Sequence, residues 1–323
     1  MQTALPSYTV LSGGVGGAKL VLGLQRVLRN EQLQVIANTG DDFEHLGLTI
    51  CPDIDTLMYT LGGIAHQANG WGLQNESWQF MAGMEKLGGE TWFRLGDGDL
   101  ATHVRRQQLL TSGLNLSEVT ATLGRSLGVN ITLCPMSDAP VRTIIETDEG
   151  ALSFQDYFVR RKTEPVASAF RYSGSEQARA SATALAALED AASGAIIITP
   201  SNPWLSIDPI MSLSDIKTTI KASRAPVIGI SPIVGGRSLK GPTAKLMREL
   251  GIEPSVLNIA EHYRDVLNGL IIDSQDAEYR NAIEAMGIAV KVCNTLMMNL
   301  SDKIQLAEDT LNFAVHLRTE KNI

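Results

Sequence analysis

The chain has 323 residues, 44% hydrophobic and 19% charged, with a formal charge of −8 and a pI near 5.2. That balance excludes a protein that wraps a polyanion, because phosphate contacts need a basic face and the densest basic runs are only Arg105-Arg106 and Arg160-Arg161-Lys162. No apolar run reaches bilayer length, Cys51, Cys134 and Cys293 offer neither a disulfide framework nor a paired-cysteine metal site, and the first residues lack the regions of a signal peptide. A cytoplasmic protein is expected, with no nucleic acid and no membrane among its partners. The charged fraction lies below the roughly 25% usual for soluble domains, which points to a surface patch covered in an oligomer.

Tyr8 to Ser12 is a short β-prone run ending in glycines, and Leu20, Leu22, Leu24, Val27 and Leu28 follow at roughly helical spacing. Leu33 to Asn38 reads as a second strand, so the opening is a βαβ unit with parallel strands. Two amphipathic helices follow one another from Asp99 to Leu127, and residues 131–134, 142–146 and 151–154 look like short strands joined by turns. A helix is predicted from Glu176 to Glu189. Ala195 to Thr199 is then nearly all apolar, as in a parallel strand covered on both faces, 226–230 is another, and 269–273 and 288–292 are expected as edge or near-edge strands. Helices are predicted over 243–250 and 302–316. The expected fold is α/β and Rossmann-like, a mostly parallel sheet with helices on both faces and an inserted α+β cap. The core takes residues 1–98 and 191–323, the cap 99–190.

The chemistry sits in the loops. Ser12-Gly13-Gly14-Val15-Gly16-Gly17-Ala18-Lys19 joins the first strand to its helix, where close backbone approach and free N–H groups favour an anion. It is not a dinucleotide fingerprint, since Lys19 takes the third glycine's place, nor a Walker A loop, since Leu20 stands where Ser or Thr belongs. A tight turn that needs only small residues is the alternative. Asn38-Thr39-Gly40-Asp41-Asp42 and Cys51-Pro52-Asp53-Ile54-Asp55 then place four carboxylates within 15 residues of chain. Such crowding is repulsive unless a cation or donors intervene, and Mg²⁺ typically uses one or two carboxylates plus substrate phosphates. Capping of the next helix by Asp53 or Asp55 competes with that reading, and Asp41 is the first choice. Arg94 to His103 carries Asp97, Asp99 and His103 into a helix start, where a lone histidine is more often a packing residue. Pro200-Ser201-Asn202-Pro203 follows the all-apolar strand and offers a polar pair to a base or sugar. In Ser231 to Gly241, Gly235 and Lys240 suit phosphate oxygens, against a default of solvated loop cations. All these loops fall at the same ends of parallel strands, where such sheets keep their site.

These motifs together resemble the 2-phospho-L-lactate transferases of coenzyme F420 biosynthesis and their phosphoenolpyruvate-using relatives. The resemblance rests on Gly13 to Lys19, Gly40-Asp41-Asp42, Cys51-Pro52-Asp53 through Gly63, Trp71-Gly72, Asn75-Glu76-Ser77-Trp78, Leu95-Gly96-Asp97, Asp99 to His103, Pro200 to Pro203 and Ser231-Pro232-Ile233, over residues 10 to about 295. It implies a Mg²⁺-dependent dimeric enzyme. The donor would be a guanosine diphosphate conjugate of phospholactate or a related three-carbon acid, and the acceptor 7,8-didemethyl-8-hydroxy-5-deazariboflavin. The acceptor's ribityl hydroxyl would attack the phosphorus next to the acid, and GMP would leave. On that resemblance Asp41 and Asp53 bind metal or activate the hydroxyl, with Asp55 as a further metal candidate. Gly13, Gly14, Gly16 and Gly17 hold the diphosphate, and Ser201 and Asn202 the guanosine end. Asp42, Asp97, His103, Ser137 and Asp138 are expected on the deazaflavin side. Trp71, Trp78 and Phe80 read equally well as core or dimer residues and stay outside the expected site.

Two other readings compete. A related family with a similar glycine loop contains nucleotide-sugar-binding regulators, which would not require the Asp41-Asp42 and Asp53-Asp55 set. A nicotinamide-dependent oxidoreductase is favoured only by the glycine-rich turn, and no acidic residue closes the second strand as it should.

Overall fold

The computed structural model describes residues 5–66, 70–191 and 194–320. β1 (Tyr8–Ser12), α1 (Gly14–Val27) and β2 (Leu33–Ala37) form the opening βαβ unit, and a hairpin, β3 (Phe43–His45) and β4 (Leu48–Ile50), leads into α2 (Pro52–Leu61). Helices α3 (Gln79–Lys86), α4 (Asp97–Thr111) and α5 (Leu116–Ser126) precede β5 (Thr132–Pro135), after which β6 (Arg142–Thr147), β7 (Gly150–Ser153) and β8 (Ala167–Ser173) make a small antiparallel sheet. The second half runs α6 (Ala182–Asp190), β9 (Ala195–Ile198), α7 (Asp208–Met211), α8 (Ser214–Ala222), β10 (Val227–Ile230), the hairpin β11 (Ile233–Val234) and β12 (Arg237–Ser238), then α9 (Thr243–Glu249) and α10 (Val256–His262). It ends with β13 (Gly269–Asp273), α11 (Arg280–Glu284), β14 (Ala289–Cys293) and α12 (Leu300–Glu320).

Seven strands pair in parallel in the order β14-β13-β10-β9-β1-β2-β5. Their sequences explain why both faces are covered. Neighbouring residues of a strand point to opposite faces, and here both are apolar: Val10, Val35, Ile197 and Ile271 enter one core with α1, α2, α5 and α12. Leu11, Ile36, Ile196 and Ile272 enter the other with α6, α8 and α10. Each fully buried Leu or Ile contributes about 1.5–3 kcal/mol of apolar transfer, so the two cores fix the layer order before any loop is placed.

Where the structure departs from the sequence reading, local chemistry accounts for it. The helix expected from Glu176 begins at Ala182, because the Ser181 side chain caps it by accepting from the Ala184 N–H. Residues 132–135, expected in the cap, form the edge strand of the main sheet, with Leu133 opposite Val35. Stretch 99–190 therefore supplies a sheet strand as well as the antiparallel β6-β7-β8 layer, whose Ile145, Tyr157 and Ala167 pack on Leu205 and Leu246.

The chain moves outward from β1 through β2 to β5, then returns to the other side of β1 as β9. This reversal leaves a crevice at the carboxyl ends of β1 and β9, the usual ligand position in a doubly wound sheet. The glycine loop lies there and is packed by protein on nearly every side. A Cβ on Gly13 would stand 2.5 Å from Asp53 Oδ2, one on Gly16 2.7 Å from the Pro200 carbonyl oxygen, and one on Gly17 2.3 Å from Ser12 Oγ. Gly16→Ala is therefore expected to push the β9 loop away and to cost about 1–3 kcal/mol, read as a lower urea midpoint.

Candidate active site

α1 starts without a side-chain cap, and its Gly14 N–H donates to Asp53 Oδ1 at 2.6 Å. The carboxylate thus sits at the positive end of the helix, while the Val15 and Gly16 N–H groups have no acceptor within the helix. Asp53 reaches this point because Pro52 opens α2, placing Asp53 and Asp55 in its first turn.

Asn38, at the end of β2, organises the acids. Its Nδ2 donates to Asp41 Oδ1 at 3.2 Å, to Asp53 Oδ2 at 2.9 Å and to the Leu205 carbonyl at 3.1 Å, while its Oδ1 accepts from the Gly40 N–H. One amide nitrogen with two hydrogens thus serves two carboxylates and a carbonyl. Leu205 belongs to a π-helical turn, Pro203–Ile207, capped by Asn202 Oδ1. Asp41, Asp42 and Asp53 are all buried. Burial first, and then the Asp53 charge, pushes the Asp41 carboxyl well above the ordinary range, and burial raises Asp53 as well. Asp42 is pushed by burial to about 7, against the pull of the Arg142 guanidinium.

Several buried polar atoms at this end of the sheet lack a hydrogen-bond partner: Asp42 Oδ1, Thr39 Oγ1, Ser12 Oγ and Asn202 Nδ2. Buried groups of this kind ordinarily find a partner in protein, water or ligand. Among the described residues no group of three or more histidine, cysteine or acidic side chains is arranged to hold a metal. The Asp41–Asp53 pair with substrate phosphate oxygens nevertheless matches the ligand set that Mg²⁺ ordinarily takes.

Asp55 does not join the pair. Both of its oxygens are held by the Arg106 guanidinium, buried with it, and Arg106 Nη1 also lies 3.0 Å from His103 Nδ1. His103 Nε2 lies 3.3 Å from Asp99 Oδ2, and Tyr59 Oη donates to Asp99 Oδ1 at 2.6 Å. Asp55 is thereby the anchor of a buried ion-pair network, and His103 is a part of that network and not an exposed acceptor contact. Asp97 accepts from Ser77 Oγ and from the N–H groups of Gln79 and Phe80, which caps α3. Ser137 donates to the Arg179 carbonyl, and Asp138 accepts from the Ser117 N–H at the start of α5. These side chains hold loops in place.

After β9, Ser201 donates to the Gly13 carbonyl and pairs with Thr199 Oγ1 at 2.8 Å, tying the β9 loop to the glycine loop. Gly235 and Gly236, both at positive φ, form the two-residue turn of the β11–β12 hairpin, and the Gly235 N–H is held by Asp276. Gly235 is thus a turn residue whose N–H is already occupied. Lys240 comes close to Gly70, the first described residue after position 66, at 3.5 Å from where a Gly70 Cβ would stand.

A cavity of about 340 Å³ opens beside this network, lined by Trp71, Trp78, Arg94, Asn75, Glu76 and Asp99. Arg94 lies over the Trp78 ring at 4.2 Å, and Trp71 is 53% exposed. The sequence reading left Trp71 and Trp78 outside the expected site, because an aromatic run gives no sign of which rings face a cavity.

The family model for 2-phospho-L-lactate transferase CofD matches residues 8–301. The chain belongs to this transferase family. A phosphoenolpyruvate transferase from Kitasatospora aureofaciens is 38% identical over 95% of this chain and 98% of its own length. A 2-phospho-L-lactate transferase from Methanosarcina mazei is 36% identical over 93% and 97%. Among solved structures, a Bacillus halodurans member of the UPF0052 family matches with TM-score 0.61 at 14% identity, over 95% of this chain and 98% of that one; it shares the fold. No helix among the described residues is long and apolar enough to cross a membrane.

Proposed function

We propose that this member of the family moves the phospho-acid group of a guanosine diphosphate conjugate onto the ribityl hydroxyl of 7,8-didemethyl-8-hydroxy-5-deazariboflavin. The hydroxyl oxygen forms a bond to the phosphorus that bears the three-carbon acid. The bond from that phosphorus to the bridging oxygen breaks, and GMP leaves with the electron pair. The observation that carries this reading is the buried Asp41–Asp53 pair beside the uncapped start of α1.

Phosphoryl-type transfer needs mainly positioning and charge neutralisation, and the residues divide the work. The first turn of α1 receives the diphosphate through its N–H groups, and Asn202 Nδ2, buried and unpartnered, is a donor for the nucleoside end. Asp41 in its ionised form, made a stronger base by its raised pKa, takes the proton of the attacking hydroxyl. Asp41 and Asp53 would hold Mg²⁺, which when bound supplies charge neutralisation at the diphosphate. The wide cavity with Trp71 and Trp78 on its wall suits the flat deazaflavin ring. Similar identities to phosphoenolpyruvate and 2-phospho-L-lactate transferases leave the acid to be named by assay.

The test is turnover of the deazaflavin alcohol with Mg²⁺ and a panel of guanosine diphosphate conjugates, with GMP and product followed by mass spectrometry. Nucleotide binding with no product from any conjugate overturns the proposal in favour of a regulatory binder. Trp78→Ala is expected to raise KM for the acceptor about tenfold, the loss of one stacking contact of 1–3 kcal/mol, with donor KM unchanged. Mg²⁺ is also expected to raise the melting temperature more at pH 8 than at pH 5. The raised acids are protonated at pH 5 and present charge only above it; a pH-independent shift would remove the metal from this pair.

A further inference from the structure

A second, smaller cavity of about 70 Å³ lies beside the glycine loop, lined by Val15 and Lys19 of α1, Thr60 at the end of α2, Gly70 and Lys303 of α12. Its size suits a carboxylate or a phosphate group and no ring. Three cations gather here. Lys19 and Lys303 line it, and Lys240 stands next to Gly70, whose own Cβ position is 2.5 Å from Val15 Cγ1. Neither Lys19 nor Lys303 has a carboxylate within salt-bridge distance among the described residues. The Lys19 ammonium donates to the Met297 carbonyl at 3.1 Å.

Backbone packing sets this arrangement. A Cβ on Gly23 would fall 2.1 Å from the Lys303 carbonyl oxygen, so the glycine lets α12 lie directly on α1. Lys19, one turn earlier on α1, is then brought to the start of α12. Lys19 and Lys303, with no carboxylate at salt-bridge distance among the described residues, repel one another. Burial, and after it the charges of Lys240 and Lys303, lowers the Lys19 pKa. An incoming anion relieves all of these costs at once.

We infer that this cavity receives the carboxylate of the three-carbon acid carried by the donor. The inference rests on the transferase reading above. Within that reading the diphosphate is neutralised by the α1 N–H groups and the cation at Asp41–Asp53. The carboxylate is the one formal charge of the donor without a partner, and Lys19, Lys303 and Lys240 are the cations gathered next to the same helix start. The pocket therefore distinguishes a carboxylate-bearing conjugate from plain GDP or a neutral ester.

The experiment compares the lactate conjugate of guanosine diphosphate with its carboxamide, using calorimetric binding without acceptor and turnover with it. Wild type is expected to bind the carboxylate conjugate at least tenfold more tightly than the amide. Lys303→Gln is expected to abolish that preference by weakening only the carboxylate form. Lys19→Gln serves as a second variant. Equal affinity of wild type for the two conjugates, or equal weakening of both by Lys303→Gln, overturns the inference. Turnover of both conjugates by wild type without any preference leaves the transferase reading intact and removes the carboxylate pocket. A carboxylate preference that depends on Lys303 in a protein that makes no product does the reverse.

Discussion

Asp41→Asn is expected to lose roughly a hundred- to ten-thousand-fold in kcat, the range for removing a positioned acid–base group, while the protein becomes harder to unfold at pH 8. The two effects share one cause. Asp41 is held as an acid in a buried site next to Asp53, and burial and that neighbour both raise its pKa. A carboxyl whose folded pKa lies above its unfolded value binds more protons when folded, so stability falls as pH rises between the two values. The folded protein is thus most favoured below the unfolded pKa, and that advantage is lost as Asp41 ionises. Asp42 acts in the same direction over a window from about 4 to about 7. Asparagine at 41 carries no charge to desolvate, so the variant should melt above wild type at pH 8, with the gap closing towards pH 5. Near-normal turnover would remove Asp41 from the chemistry, and a gap independent of pH would show that its burial is not what costs stability.

Asp55→Ala is expected to destabilise the fold by about 3–5 kcal/mol, the cost of stranding a buried charge by removing its partner. Arg106 is 1% exposed, and among the described residues Asp55 is the only carboxylate in salt-bridge contact with it. Its remaining contacts are the Thr49 carbonyl and the His103 ring. Burial works against the guanidinium charge, and Asp55 more than restores it. The double variant Asp55→Leu/Arg106→Met should recover at least half of the loss in urea denaturation, because an apolar pair of similar volume avoids both desolvation costs. A double variant as unstable as the single one would mean that the pair's hydrogen bonds to α4 and β4, and not its charges, hold α2.

The fold was legible in the sequence wherever a strand is apolar on both faces. Ala195–Ile198 and Gly269–Asp273 could belong only to a parallel sheet covered by helices, and they do. β5 was misplaced because its four residues, Thr132 to Pro135, sit at the sheet edge with Thr132 exposed, so the pattern resembles the strands of the neighbouring layer. At the site, the crowding of Asp41, Asp42, Asp53 and Asp55 was visible, but their division was not. Which carboxylate meets Asn38 and which meets Arg106 depends on how α2 and α4 cross, and residues 51 positions apart in sequence carry no local signal of that meeting. Asn38 was overlooked for a related reason: an amide between two acids announces nothing until both acids are placed around it. The hydrogen bonds that Asp97, Ser137 and Asp138 make within the protein were not legible either, because capping and ligand contact call for the same polar side chains.

The reversal of the chain at β1 has a consequence for how this enzyme can change. Asn38, Asp41, Asp53 and the tryptophan cavity all come from the half of the chain that runs outward through β2 to β5. Asn202, Lys240 and Lys303 come from the half that returns through β9, β10 and β14. Apart from Lys19 and the first turn of α1, the groups assigned to reading the donor are encoded separately from those that handle the acceptor and its proton. Drift in the second half can exchange one three-carbon acid for another while the reacting pair stays untouched, and a chimera joined between α6 and β9 would carry one parent's acceptor with the other's donor.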